Sequence, residues 1–213
     1  VGPGILTQSL TDILATMQAP TRFQLANNSV IQFAVADERV THSGLEFGAP
    51  ELQLSIPSRF RAVVARYGDR SAFVGQNIDL TYSELDARAN ALAHALVGAI
   101  HGRDRTVGLL LEQGVEFVSS LLATLKAGHC YVPLDPRLPR QRLERISTDA
   151  ACAAVVTDEA HLELAQHLVG VSRPLILVDR LPKNGSRTDP AVAPDPMARA
   201  YIIFTSGSTG EPK

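Results

Sequence analysis

The sequence predicts an α/β fold: a mostly parallel, doubly wound sheet with helices on both faces, preceded by a small α+β segment. Three observations lead to this fold class. From about Ser55 onward, short apolar strands alternate with helical segments of roughly 10 to 14 residues. The strand TVGLLL is apolar throughout, as expected of a strand buried on both sides. With 45% hydrophobic and 20% charged residues, the chain has the composition of a globular protein.

The first 52 residues are read separately because they contain no recognisable chemistry. Apolar residues at roughly helical spacing predict one helix, ended by Pro20: Ile5, Leu10, Ile13, Leu14 and Met17. The alternating stretches VIQFAV and RVTHSGLEF then predict a hairpin. We treat residues 1–52 as an unassigned N-terminal or interdomain segment, and residues 53–213 as the domain proper.

The domain opens with a helix, a strand pair and a second helix. IPSRFRAVVARYGD carries apolar residues at helical spacing, and SAFVGQNIDLTY is expected to form two short strands with a turn between them. Thr81 stands three residues before Glu84, the spacing of a capping box, in which hydroxyl and carboxylate each satisfy a free backbone amide. The following segment, ELDARANALAHAL, is predicted to be a helix with one apolar side.

Four further strands and three helices complete the alternation. In chain order, the predicted elements are the strand TVGLLL, the helix VEFVSSLLATLKAG with Gly128 at its C-terminal end, the strand CYVPL, the helix RQRLERIS, the strand AAVVT, the helix EAHLELAQHL and the strand RPLILVD. The proline-rich stretch LPKNGSRTDPAVAPDPMAR is predicted to be a loop that leads to a last buried strand, AYIIF.

The segment FTSGSTGEPK, directly after that strand, has the composition of a phosphate-binding loop. Gly207 and Gly210 permit positive φ and a close approach of the backbone to a ligand. Consecutive amides in such a turn form a concave nest for anionic oxygens. Hydroxyl donors and one cation complete the set: Thr205, Ser206, Ser208, Thr209 and Lys213. The residues together predict a site for a polyphosphate.

Two common phosphate motifs do not fit this loop. A Walker loop, GxxxxGK[ST], would need glycine where Pro212 stands, and Pro212 also lacks the amide that a helix N-terminus would offer. The dinucleotide fingerprint GxGxxG fails at its first pair of glycines. The remaining alternative is a flexible Gly/Ser linker, although a linker rarely follows a buried strand.

At these residues the chain resembles a known family. YIIFTSGSTGEPK looks like the phosphate-binding signature of the adenylate-forming (AMP-binding) superfamily. LTYSELDARANALAHAL and LKAGHCYVPLDPRLPRQRLERI resemble the first and second core motifs of its nonribosomal peptide synthetase branch, in the family's order. His129 and Cys130 stand where small residues are usual, a departure expected to alter only local packing. The resemblance does not reach residues 1–52, and it implies an N-terminal fragment of an amino-acid adenylation domain.

The resemblance implies a reaction and its partners. Family members join a carboxylate to ATP, release pyrophosphate and pass the acyl group to a thiol. It therefore implies ATP with Mg²⁺, an amino acid substrate, a phosphopantetheinyl carrier and neighbouring synthetase domains. It assigns the β- and γ-phosphates to Thr205, Ser206, Gly207, Ser208, Thr209, Gly210 and Lys213. The family's catalytic residues follow this loop, so no catalytic residue is assigned here and the 213 residues alone are expected to be inactive.

Other partners and sites are not indicated. The formal charge of −2 gives no reason to expect a nucleic acid or an acidic membrane as partner. The sequence shows neither an apolar run of the roughly 18 residues that span a membrane nor a signal-peptide pattern at its start, so the cytoplasm is the expected location. No HExxH occurs among the six histidines, so no metal site is predicted, and His94 and His129 are expected to be hydrogen-bonded residues of the core or its boundary. Cys130 and Cys152 are expected to be reduced core thiols.

Three alternatives stay open from the sequence. Arg137, Arg140, Arg142 and Arg145 form either a solvated helix face or a contact with a carrier domain or an acidic neighbour. The enzyme itself is either an amino-acid adenylating enzyme or a stand-alone acyl-CoA or fatty-acyl-AMP ligase. A rival of another class is a catalytically dead scaffold or docking fragment that keeps only the fold.

Overall fold

Residues 53–75, 78–170, 172–182 and 186–204 are described by a computed structural model of the chain. The helix and hairpin predicted within residues 1–52 lie outside these described residues. So do Gln76 and Asn77 of the predicted turn, and all of the predicted phosphate-binding residues from Thr205 to Lys213.

The first helix and the strand pair form as predicted. Helix α1 spans Ile56–Tyr67, and the Ser55 hydroxyl caps it by accepting a bond from the Ser58 amide at 3.4 Å. Strands β1 (Ser71–Val74) and β2 (Asp79–Thr81) are antiparallel and form a sheet of their own.

Helix α2, Tyr82–Ala99, begins with the predicted capping box. The Glu84 amide donates to Thr81 Oγ1 at 3.2 Å, and the Thr81 amide donates to Glu84 Oε2 at 2.9 Å. The bonds from the backbone and side chain of Thr81 hold the pKa of Glu84 below its usual value. The predicted apolar side of the helix is buried, with Leu85, Leu92 and Leu96 each at most 3% exposed.

The main sheet has four strands, all parallel, in the order β4, β3, β5, β6. Its strands and helices in chain order are β3 (Thr106–Leu110), α3 (Val115–Lys126), β4 (Cys130–Pro133), α4 (Arg140–Asp149), β5 (Cys152–Thr157), α5 (Leu162–Val169) and β6 (Leu175–Leu177). A single 3₁₀ turn precedes α5 at Glu159–His161, and another follows β6 at Val178–Arg180, so β6 is shorter than predicted. The parallel α/β architecture is confirmed.

Each face of the sheet has its own hydrophobic core. Val107 and Leu109 of β3 point toward α2 and α3, which we call the α2/α3 face. Leu110 points toward α4 and α5, the α4/α5 face, where Leu143 and Leu168 also pack. This alternation along one strand is the period of two that a sheet covered on both sides requires.

The end of α3 and the two cysteines also follow the prediction. Gly128 has φ +76°, the left-handed conformation favoured after a helix, and its amide donates to Leu125 O at 3.0 Å.

Cys130 and Cys152 are buried free thiols. Burial raises the pKa of Cys152 to about 11, so this thiol is protonated at neutral pH.

The predicted last strand forms only in part. A single parallel bridge joins Tyr201 to Tyr131 of β4, with the Ile202 amide donating to Tyr131 O at 2.9 Å. Ile202 and Phe204 pack onto the α4/α5 core, whereas Tyr201 and Ile203 are 54% and 60% exposed. The prediction of a buried strand is therefore wrong for two of its five residues, because this segment lies at an edge of the described sheet.

Candidate functional site: the carboxyl edge of the sheet

The carboxyl ends of the parallel strands meet along one edge, which we call the carboxyl edge. In open parallel sheets, ligands bind in the crevice beyond these ends, near the point where the strand order reverses. Such a reversal occurs here, because the chain moves outward from β3 to β4 and then returns past β3 to form β5. The carboxyl edge is therefore the candidate site.

The predicted phosphate-binding segment follows a residue that lies at this edge. Tyr201 pairs in parallel with Tyr131, so the last segment and β4 leave the sheet in the same direction. Phe204 then packs at the end of this segment, and Thr205 is the next residue of the chain. None of the predicted site residues, from Thr205 to Lys213, is among the described residues, so their assignment stays a prediction.

Charged side chains at the carboxyl edge are paired with one another. Arg137, after β4, binds Asp135 through two guanidinium nitrogens, at 2.9 and 2.6 Å. These bonds keep the pKa of Asp135 below its usual value despite some burial. Arg180, after β6, pairs in the same way with Glu159. Since these two cations already have carboxylate partners, Lys213 remains the predicted source of positive charge for a phosphate.

A buried ion cluster lies on the α2/α3 face, at the end of α3 that leads into the start of β4. The Lys126 side chain is 1% exposed, and its Nζ lies 2.9 Å from Asp86 Oδ1 and 3.2 Å from Asp189 Oδ2. Arg61 lies 3.6 Å from the second carboxylate. Although burial opposes it, bonds from the Ala191 amide and Lys126, with the charges of Lys126 and Arg61, lower the pKa of Asp189.

Two further side chains of α2 bind the segment that contains Asp189. Asn90, 1% exposed, donates from Nδ2 to Asp86 Oδ2 at 2.9 Å and to Arg187 O at 2.8 Å. His94 Nε2 donates to Thr188 O at 3.0 Å, which confirms it as a hydrogen-bonded boundary residue. This cluster was not predicted from the sequence. Its signal was the polar series Asp86, Asn90 and His94, which recurs every four residues along one side of a helix.

A groove of about 560 Å³ lies on the α2/α3 face of the sheet. Its lining comes from β2, the first half of α2, the first turns of α3 and the chain after β6, and includes Arg88, Glu116 and Leu181. Phe204, after which the predicted phosphate segment begins, packs on the α4/α5 face. The groove and Phe204 therefore lie on opposite faces of the sheet.

The other polar features of the sequence have structural explanations. Arg140 and Arg145 are exposed and pair with Glu144 and Asp149 four residues on, as a solvated helix face predicts. His129 is 4% exposed, its Nδ1 has no partner among the described residues, and burial lowers its pKa, so the expected hydrogen bond is missing at that atom. No group of three metal-ligating side chains occurs within the described ranges.

Comparison with known proteins decides the family. A family model described as "AMP-binding enzyme" matches residues 60–213, well over half of the chain. The chain belongs to the AMP-binding enzyme family. The match begins within α1 and runs through β3, the carboxyl edge and the predicted phosphate segment.

Curated AMP-binding relatives include peptide synthetases. Tyrocidine synthase 1 of Brevibacillus parabrevis is 38% identical over 160 residues, which are 75% of this chain and 15% of the relative. Surfactin synthase subunit 3 of Bacillus subtilis (strain 168) is 36% identical over 154 residues, 72% of this chain and 12% of the relative. The chain therefore spans a small part of the length of the curated relatives it matches.

Solved structures of AMP-binding proteins share the fold. The nonribosomal peptide synthetase FmoA3, solved with alpha-methyl-L-serine-AMP bound, matches with a TM-score of 0.67 and 27% identity, over 74% of this chain and 17% of that one. Within the described part of the chain, no helix has the length and apolar character needed to span a membrane.

Proposed function

We propose that residues 53–213 form the N-terminal part of an amino-acid adenylation domain of a nonribosomal peptide synthetase, with residues 1–52 as an N-terminal or interdomain segment. The reaction joins an amino acid carboxylate to the α-phosphate of ATP and releases pyrophosphate. The aminoacyl group then passes to the thiol of a phosphopantetheinyl carrier in the cytoplasm. This chain contributes the loop that binds the β- and γ-phosphates.

One observation carries the proposal: the family match runs through a glycine- and hydroxyl-rich segment that follows Phe204 at the carboxyl edge. Parallel α/β sheets bind ligands beyond this edge. A loop attached there can present its amides to a nucleotide without any rearrangement of the sheet.

The residues of the loop suit the charge that develops in the reaction. As the carboxylate attacks the α-phosphate, negative charge builds up on the leaving pyrophosphate. Amides around Gly207 and Gly210, the neighbouring hydroxyls and the Lys213 ammonium would stabilise that charge. Mg²⁺, bound mainly through ATP, would neutralise part of the phosphate charge.

An amino acid is the favoured substrate class. Its curated relatives include peptide synthetases, and the related FmoA3 structure carries an amino acid joined to AMP. A stand-alone acyl-CoA or fatty-acyl-AMP ligase is the second candidate, because the same family model describes AMP-binding enzymes in general.

ATP–pyrophosphate exchange tests the function. We expect the chain extended to a complete adenylation domain to catalyse exchange with one or a few members of an amino acid panel, and with no fatty acid. Exchange only with fatty acids would favour the ligase, and exchange with neither class, in a folded protein, would favour the scaffold. The 213 residues alone should show no exchange.

A loop variant and a matched control sharpen this test. Lys213→Met should lower the exchange rate at subsaturating ATP by about 100-fold, the usual order for loss of one charge-stabilising group. Arg88→Met, which breaks a half-exposed ion pair on the α2/α3 face, should leave the rate unchanged. Equal activity of the two variants would contradict the role given to Lys213.

A further inference from the structure

We infer that Lys126 is a positioning residue for the proposed adenylation reaction: through Asp189 it anchors the segment that leads to the phosphate-binding loop. This inference rests on the proposed function. The observation behind it is a buried cation that joins two helices and a long irregular segment at a single point.

The segment needs an anchor because it has no regular structure of its own. Among its described residues, 186–199, there is no helix or strand. Irregular connections of this length inside a domain are uncommon and are usually functional or held by outside contacts. The segment has to cross from beside β6 to beside β4, at the opposite edge of the sheet, before the chain reaches Thr205.

The contacts of the segment differ greatly in strength. Arg103 reaches Ala193 O at 3.4 Å, and Arg199 reaches Asp104 O at 3.5 Å; both are long bonds from exposed arginines. The bond from Lys126 to Asp189 is charged on both sides, and its donor is almost completely buried. Hydrogen bonds between charged groups in such surroundings are the stronger kind.

Two anchors therefore bracket the crossing. The first is the cluster at 187–189, where Asn90, His94 and Lys126 hold two carbonyl groups and one carboxylate. The second is the backbone pairing of residues 200–202 with Tyr131. With both anchors in place, the direction in which Phe204 delivers the next residues is fixed from two points. With the first removed, the short bridge and the two long bonds from Arg103 and Arg199 remain.

The cluster also links the first and second core motifs. Asp86 and Asn90 belong to the first motif, and Lys126 is the lysine of LKAG in the second. The polar residues of both motifs meet at the irregular segment of residues 186–199. Their role in the reaction is thus indirect: they orient the third motif without contacting the nucleotide.

Asp189→Asn is the variant that separates positioning from folding. It removes the charge on the segment while the pair between Lys126 and Asp86, at 2.9 Å, stays intact, so the fold is retained. We expect backbone amides of residues 187–200 to exchange with deuterium about tenfold faster or more. In the complete domain, KM for ATP should rise about fivefold, with KM for the amino acid and kcat changed less than twofold. Arg88→Met is the control and should change neither measurement.

Failure of the proposed function and failure of the inference about Lys126 give different results. If the wild-type domain shows no exchange with any substrate, the proposed function fails, and amide exchange in the 213-residue chain still decides whether Asp189 is an anchor. If amide exchange of 187–200 is unchanged in Asp189→Asn, the anchor is disproved. If the segment loosens but KM for ATP stays the same, or all kinetic parameters fall together, Lys126 has a purely structural role and the inference is overturned.

Discussion

The two faces of the sheet place charge differently. On the α2/α3 face, Lys126 is buried between two carboxylates, and Asn90 is buried beside it. On the α4/α5 face, the packed core is apolar, the partly buried Arg173 donates to backbone carbonyls such as Cys152 O, and the ion pairs, such as Arg140 with Glu144, lie on the outer surface. The buried charge lies where an irregular segment crosses a layer of helices. Carbonyl groups of such a segment need hydrogen-bond donors, which offsets the unfavourable burial of charged and polar side chains.

The largest expected effect is the loss of the buried cation. Lys126→Met leaves Asp86 and Asp189 without their main partner, and should lower the free energy of unfolding by about 3–5 kcal/mol. Urea denaturation of the 213-residue chain measures this. A loss below about 1 kcal/mol would mean that the cluster is no more important than a surface pair, and the contrast between the two faces would disappear.

On the α4/α5 face, the sensitive feature is close packing. A Cβ at Gly108 would lie 2.7 Å from Leu134 Cδ1 and 3.3 Å from Val155 Cγ2. Gly108→Ala should therefore cost about 1–3 kcal/mol through overpacking. Gly98→Ala is the matched control: no atom lies within 4 Å of its Cβ, and alanine favours a helix, so it should be neutral or slightly stabilising. Equal costs at the two glycines would refute the packing explanation.

The capping box lies at the exposed start of α2, on the α2/α3 face. Thr81→Ala should cost about 1 kcal/mol in the free energy of unfolding, measured by urea denaturation at pH 7. Because the pKa of Glu84 is lowered in the folded chain, its ionised form stabilises the helix above the usual value of 4.5, and this contribution is lost as the pH falls below it. The difference between wild type and variant should therefore shrink in acid. A difference that grew in acid would contradict this origin.

The smallest effect is expected from an exposed ion pair on the same side of the molecule as the buried one. Arg88 and Glu116 are 2.7 Å apart, but their side chains are 43% and 41% exposed. Arg88→Met should change the unfolding free energy by less than about 1 kcal/mol, and added salt should remove the difference. An effect comparable to that of Lys126→Met would mean that burial does not control the strength of these pairs.

Local patterns in the sequence predicted most of the fold. They did not predict contacts between residues that are far apart in the chain. The capping box at Thr81, the turn at Gly128 and the apolar strand at Thr106–Leu110 depend on neighbouring residues, so spacing alone indicates them. The ion cluster joins residues 63 positions apart, Lys126 and Asp189, and no local pattern indicates that pairing.

The last strand shows the same limit. Apolar composition predicted that AYIIF would be buried, but burial depends on which elements cover each face of an edge strand. For the candidate site, the sequence predicted the residues of the phosphate loop. The structure placed Phe204, the residue before that loop, at the carboxyl edge of the sheet. The course of residues 186–199 depends on long-range contacts such as that between Lys126 and Asp189, and composition identified this stretch only as a loop.

The central claim is that Thr205–Lys213 binds the terminal phosphates of ATP. Amide exchange of the complete domain, with and without MgATP, tests it most directly. The claim predicts that the amides of residues 205–210 gain at least tenfold protection when MgATP is added, while those of β1 and β2 do not change. MgATP that binds and protects other segments, yet leaves the amides of 205–210 as they were, would contradict it.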